Sequence, residues 1–226
     1  MRKLTLILSV AMLATPVLAD DLPEFQPWWR GEVSTTLQRW EFDTPDQVNV
    51  LPDGPGPLDE GPPYQVGYLP STMVTEIRPF QNEPWIEEDP FAPTGAPGRF
   101  GIWMLSGEMD VLVDNHDPDN DRKLINVQLT WHPGEIGALP GIKDIGPEQY
   151  PVRDFQHVGD IASCNGWITS LYTWEFEGNP ADEWFTIYGN VYVDQLVVDT
   201  WCIPEPATMG LMATGGLFAL LRRRRK

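Results

Sequence analysis

Val191-Tyr192-Val193-Asp194-Gln195-Leu196-Val197-Val198-Asp199-Thr200-Trp201 is the stretch that decides the fold. Val191, Val193 and Val197 fall on one side of an extended chain, and Tyr192, Leu196 and Val198 on the other. Apolar residues on both sides are expected of a strand covered on both faces, at the centre of a β protein. Immediately upstream, Trp184 to Tyr188 forms a second apolar run, and the Gly189-Asn190 pair between the two suits a tight hairpin. Further out the same period of two recurs. In Trp167 to Glu177, Ile168, Tyr172, Trp174 and Phe176 share a face; in Leu124 to Trp131, Ile125, Val127, Leu129 and Trp131 oppose Asn126, Gln128 and Thr130. Phe100 to Val113 is apolar with a break at Ser106-Gly107, and Thr35 to Thr44 places Trp40 and Phe42 together. No segment between the ends has a 3.6-residue apolar period, so no long helix is expected there. Twelve prolines lie between Thr44 and Gly98, and they restrict residues 44–98 to loops and edge strands, with one short strand from Met73 to Phe80. Short strands, turn signals between them and ten tryptophans predict an all-β fold, an antiparallel β-sandwich.

The chain begins with Met1-Arg2-Lys3, an apolar core from Leu4 to Leu13, and Val17-Leu18-Ala19 before Asp20. A charged start, a short apolar run and small residues at the cut are the features of a secretory signal peptide, residues 1–19, read by the Sec machinery. Residues 20–202 then form one body, long enough for a real core. The terminal segments hold seven of the 15 basic residues and one of the 33 acidic ones, leaving the body 8 against 32 and a formal charge of −24. Such a body repels nucleic acid and anionic surfaces, which excludes nucleic-acid binding as a function. Cys164 and Cys202 are the two cysteines of an exported chain, so a disulfide between them is expected, with two buried thiols as the alternative.

After Trp201 the chain changes character. Ile203-Pro204-Glu205-Pro206 is followed by fifteen weakly apolar residues, Ala207 to Leu221, and then by Arg222, Arg223, Arg224, Arg225 and Lys226. The prolines keep the Pro-Glu-Pro unit extended. The apolar run is just long enough for a transmembrane helix, and the cations hold its end in the cytoplasm. This layout over residues 203–226 resembles the PEP-CTERM sorting signal of Gram-negative bacteria. The resemblance implies a transient inner-membrane anchor, processing by an exosortase-type membrane protease near Pro204-Glu205-Pro206, and release to the cell surface or an exopolysaccharide matrix. Trp29-Arg30-Gly31, Asp114-Asn115, Gly166-Trp167 and Val193 to Thr200 together also resemble uncharacterised planctomycete-type PEP-CTERM surface proteins, which implies a jelly-roll-like sandwich.

Four groups of residues could carry chemistry. Gly107-Glu108-Met109-Asp110 resembles the catalytic strand of laminarinase-type glycoside hydrolases, where Glu-x-Asp-x-x-Glu supplies nucleophile and acid/base. Glu108 and Asp110 match two positions; Val113 or Leu112 stands at the third, so this strand has no proton donor. Asp117, Asp119 and Asp121 have the spacing that begins a calcium loop, but Arg122 replaces the turn glycine and Gln128 the bidentate glutamate. His116, His132 and His157 are not spaced for zinc. Trp28, Trp29, Trp85 and Trp103 lie in or beside segments not firmly placed in a core, and exposed indoles stack on sugar rings. The expectation is a non-catalytic exported surface or matrix protein with glycan as its candidate ligand and no cofactor, calcium being the candidate exception. A sandwich glycoside hydrolase using Glu108 and Asp110 is the alternative.

Overall fold

The computed structural model describes residues 22–32, 35–51, 65–66, 73–78, 85–94, 98–114, 122–134 and 139–203. The expected signal peptide, the acidic loop with His116, Asp117, Asp119 and Asp121, and the tail after Ile203 lie outside the described residues. Eleven strands carry the fold: β1 (Thr35–Trp40), β2 (Val48–Val50), β3 (Gln65–Val66), β4 (Met73–Arg78), β5 (Trp85–Glu88), β6 (Phe100–Asp114), β7 (Arg122–His132), β8 (Gly141–Gly146), β9 (Val152–Ala162), β10 (Ile168–Glu177) and β11 (Asp182–Ile203). They form one hydrogen-bonded network, antiparallel except where β1 meets β3, and the main path runs β2-β4-β6-β11-β7-β10-β9. The all-β, antiparallel expectation holds.

The stretch that opens the sequence reading is the axis of this network, but it extends further than expected. The predicted hairpin at Gly189-Asn190 does not form: β11 is continuous over 22 residues. Nor does β6 break at Ser106-Gly107. The two breakers face each other across the pair, Gly189 opposite Gly107 and Asn190 opposite Ser106. Gly189 serves close approach rather than a turn, since Pro140 Cα lies only 3.2 Å from where its Cβ would sit. Each half of β11 has its own neighbours. Trp184 to Tyr188 lies between β6 and β8, whereas Leu196 to Trp201 lies between β1 and β7.

One core serves both halves. Ile125, Val127, Leu129 and Trp131 of β7 and Tyr172, Trp174 and Phe176 of β10 join Trp103, Leu105, Met109 and Val111 of β6 in a single apolar cluster. Trp174 meets Phe185 of the first half of β11 edge-on, with ring centroids 5.2 Å apart. A buried ion pair, Lys123 with Glu183, also joins β7 to the first half of β11 within this interior.

The opposite face of β7 carries Asn126, Gln128 and Thr130, polar in sequence yet equally buried, beside Gln195, Val197 and Asp199 of β11. A strap of residues 22–32, turning through a short 3-10 segment at Pro23–Phe25, crosses it. Asn126 Nδ2 donates to Phe25 O at 3.0 Å, and the Leu22 N–H donates to Gln128 Oε1 at 3.0 Å. Trp29 stacks on Trp201 at 5.8 Å, and Arg30 donates twice to Asp199, both bonds 2.6 Å. The polar side of the Leu124–Trp131 alternation is therefore the docking surface of the chain's own N-terminal segment, whose backbone groups need such partners when buried.

The expected disulfide is absent. Cys164 is exposed at the β9–β10 connection, while Cys202 is buried opposite Lys123 and donates its S–H to Asn179 Oδ1 at 3.7 Å. Most of the length of β10 separates them, roughly 26 Å at strand rise, against the roughly 7 Å that a disulfide spans between Cα atoms. Sequence shows two cysteines with no competitor, but not that the sheet carries them to opposite ends. Thiol titration of the denatured, unreduced chain is expected to count two free sulfhydryls; a count of zero would contradict this sheet register.

Candidate functional site

Between the strap and the sheet lies a cleft of about 520 Å³. Its floor is the outer face of three adjacent strands, with Asn126 on β7 opposite Thr173 on β10, and Thr173 opposite Gln156 on β9. Strand alternation puts these side chains on one surface because each strand contributes every second residue. Glu24 and Trp28 of the strap line the cleft together with Asp154 of β9 and Glu175 of β10. Trp28 is 80% exposed, the most exposed large apolar side chain among the described residues. It stands perpendicular to Trp201, centroids 5.3 Å apart and planes at 84°, and this ring contact leaves most of its surface exposed.

Glu175 is anchored by Arg122, whose Nε donates to Glu175 Oε1 at 2.7 Å and whose second terminal nitrogen bonds Oε2. That hydrogen bond, with the charges of Glu175, Asp154 and Glu177, raises the guanidinium pKa above its ordinary value despite partial desolvation. Glu24 and Asp154 have no salt bridge among the described residues. The cleft thus offers one indole platform, amide and hydroxyl groups, and acids in excess of bases.

The four tryptophans singled out by sequence separate clearly. Trp28 reaches the cleft. Trp29 lines it but is 5% exposed, locked on Trp201. Trp103 is fully buried and no platform. Trp85 is half-buried, with its indole N–H donating to Phe42 O at 2.9 Å. Burial claims Trp29 and Trp103 because the indole is the largest apolar surface available to a core. Sequence reasoning missed Glu24, Asp154 and Gln156. The last two lie on β9, whose residues are mostly exposed and show no apolar alternation to reveal a strand.

Glu108 and Asp110 occupy a different place, sharing a cleft beside Thr186 and Asp144. They lie on one face, as the alternation requires. Thr186 Oγ1 donates to Asp110 Oδ1 at 2.7 Å, and Lys143 forms an ion pair with Glu108 and sits 3.4 Å from Asp144. The hydrogen bond to Glu108 raises the Lys143 pKa. A pair held ionic in this way supplies a fixed charge rather than a proton. Among the described residues, no three His, Cys, Asp or Glu side chains converge as a metal site.

The remaining functional element begins where the sheet ends. Ile203, the last residue of β11, pairs with Arg122, and the sequence beyond it matches the family model for the PEP-CTERM protein-sorting motif over residues 203–226. Residues 203–226 are a PEP-CTERM sorting motif. A PEP-CTERM motif marks a protein exported and sorted to the cell surface through exosortase, a membrane-embedded protease that processes the signal. Pro204, Glu205, Pro206 and the Arg222–Arg225 run thus have an assigned context, although they lie beyond the described residues. The body upstream of the PEP-CTERM segment has no such assignment, and no curated protein and no solved structure matches the chain.

Proposed function

We propose that this is a non-catalytic protein of the cell surface or exopolysaccharide matrix that binds glycan in the strap cleft after exosortase has cut near Pro204-Glu205-Pro206. The observation that carries this reading is Trp28, an indole left 80% exposed above a cleft lined with amide, hydroxyl and carboxylate groups. Sugar sites combine these two elements, a flat ring for the C–H face of the pyranose and polar groups for its hydroxyls. The two packed halves joined by β11 support a jelly-roll-like sandwich as the finer description of the fold. An N-terminal signal peptide read by the Sec machinery and an inner-membrane-anchored precursor complete the route. The glycosidase alternative is disfavoured because Glu108 is tied to Lys143 and Asp110 to Thr186. Calcium at Asp117, Asp119 and Asp121 rests on their spacing alone, those residues lying outside the described ones.

A glycan array on the full-length chain in detergent, with hydrolysis followed in parallel, tests the reading. Binding without hydrolysis is expected, and Trp28→Ala is expected to weaken it by about 2 kcal/mol, roughly thirtyfold. Binding unaffected by Trp28→Ala, or turnover abolished by Glu108→Gln, would reject it.

A further inference from the structure

The polar groups of the strap cleft are unequal in kind, and that inequality points to a ligand class. Asn126 is 3% exposed at the base of the cleft, and its amide orientation is fixed because Nδ2 donates to Phe25 O. This leaves its Oδ1 as a buried acceptor without a partner among the described residues. Buried polar atoms ordinarily have partners, and an orphan acceptor beside a cleft indicates a donor that the protein does not supply. Glu24 and Asp154 add carboxylates that accept only. The cation near the rim, Arg122, is committed to Glu175 through both its bonds. Gln26, Gln156, Thr173 and the indoles of Trp28, Trp29 and Trp174 supply neutral donors, and none of the residues lining the cleft is a cation.

We infer, resting on the glycan reading above, that the cleft recognises a sugar carrying a free amine, such as a deacetylated hexosamine unit, in preference to a neutral or an anionic glycan. Trp28 packs against the pyranose face, and ammonium groups of the ligand meet Glu24 and Asp154. Hydroxyl or amine hydrogens are then directed at the acceptor-rich floor. A uronic-acid polymer meets carboxylates here and, at longer range, a body of formal charge −24. A bare metal ion fits less well than an amine, since no three acids among the described residues converge on one point. A ligand several atoms wide can instead meet Glu24 on the strap and Asp154 on β9 separately.

The test uses the full-length chain in detergent, titrated calorimetrically at about pH 6, where a sugar amine is protonated and carboxylates are ionised. The probes are a glucosamine hexamer, its fully N-acetylated counterpart, a polyuronate hexamer and spermidine. The amine-bearing hexamer is expected to bind about tenfold more tightly than the acetylated one, the sum of two or three exposed ion pairs at a few-fold each. The polyuronate and spermidine are expected to bind far more weakly than either. Glu24→Gln with Asp154→Asn is expected to bring the two hexamers to similar affinity, and Trp28→Ala to weaken both. Equal binding of the two hexamers by the unaltered chain overturns the inference but leaves the glycan reading intact. Tight spermidine binding, or amine-sugar binding indifferent to Trp28→Ala, reduces the effect to bulk charge and also overturns it. Failure of every sugar rejects the glycan reading itself.

Discussion

Lys123→Met is expected to destabilise the fold by about 3–5 kcal/mol, because it leaves the Glu183 carboxylate buried without its cation. The pair is essentially sealed: the Lys123 side chain is 0% exposed and that of Glu183 is 1%. Among the described residues Glu183 is the partner of that ammonium. For a domain of this size the loss corresponds to a fall in melting temperature of roughly 6–20 °C. The double variant Lys123→Met with Glu183→Leu is expected to recover most of it, since two well-packed apolar side chains can replace a buried ion pair at little net cost. Denaturant melts of the three variants and the parent complete the cycle. A harmless single substitution, or a double variant no more stable than the single, would show that the pair is not the inter-half contact described.

Processing of the tail is expected to be close to all-or-none. In a host with exosortase, the surface form is expected to lack the sequence after the Pro-Glu-Pro region, and deleting Arg222 to Lys226 is expected to leave most of the protein unprocessed. The cations resist translocation, so without them the apolar run has no fixed orientation to present Glu205 on the outer side. Mass spectrometry of surface-extracted protein gives the C-terminus directly. A surface form ending in Lys226 would make the segment an anchor only. The sheet adds a constraint: Ile203 is still paired with Arg122, so the box follows directly on the last residue of β11.

Strand existence was legible wherever one face had to be apolar. Ile125, Val127, Leu129 and Trp131 announced β7, and Trp40 with Phe42 announced the end of β1, because burial on one side imposes a period of two. Strand length was not. Gly189-Asn190 has the composition of a turn, and only the facing Gly107-Ser106 pair and the nearby Pro140 explain why it stays extended. Such reasons are tertiary and leave no trace within a short window. The edge strand β9 was invisible for the opposite reason, since a strand exposed on both faces has no apolar pattern. For the site, Trp28 and Trp29 were equivalent in sequence, and only Trp201 stacking on the second and standing edge-on to the first separates them. The partnering of Asn126 with the strap joins residues a hundred positions apart and could not have been foreseen.

The junction at Ile203 also has a mechanical meaning. Until the tail is removed, any pull on it enters the body through Ile203 and so along β11. That strand has hydrogen-bonded neighbours on both edges, β1 and β7 along its second half and β6 and β8 along its first. The load runs parallel to the strand, so these bonds are strained in shear, many at a time, rather than unzipped singly from an end. A tether attached to an edge strand such as β9 would peel. Attached to the central strand, the tail of the uncleaved precursor passes any pull into a strand bonded along both edges.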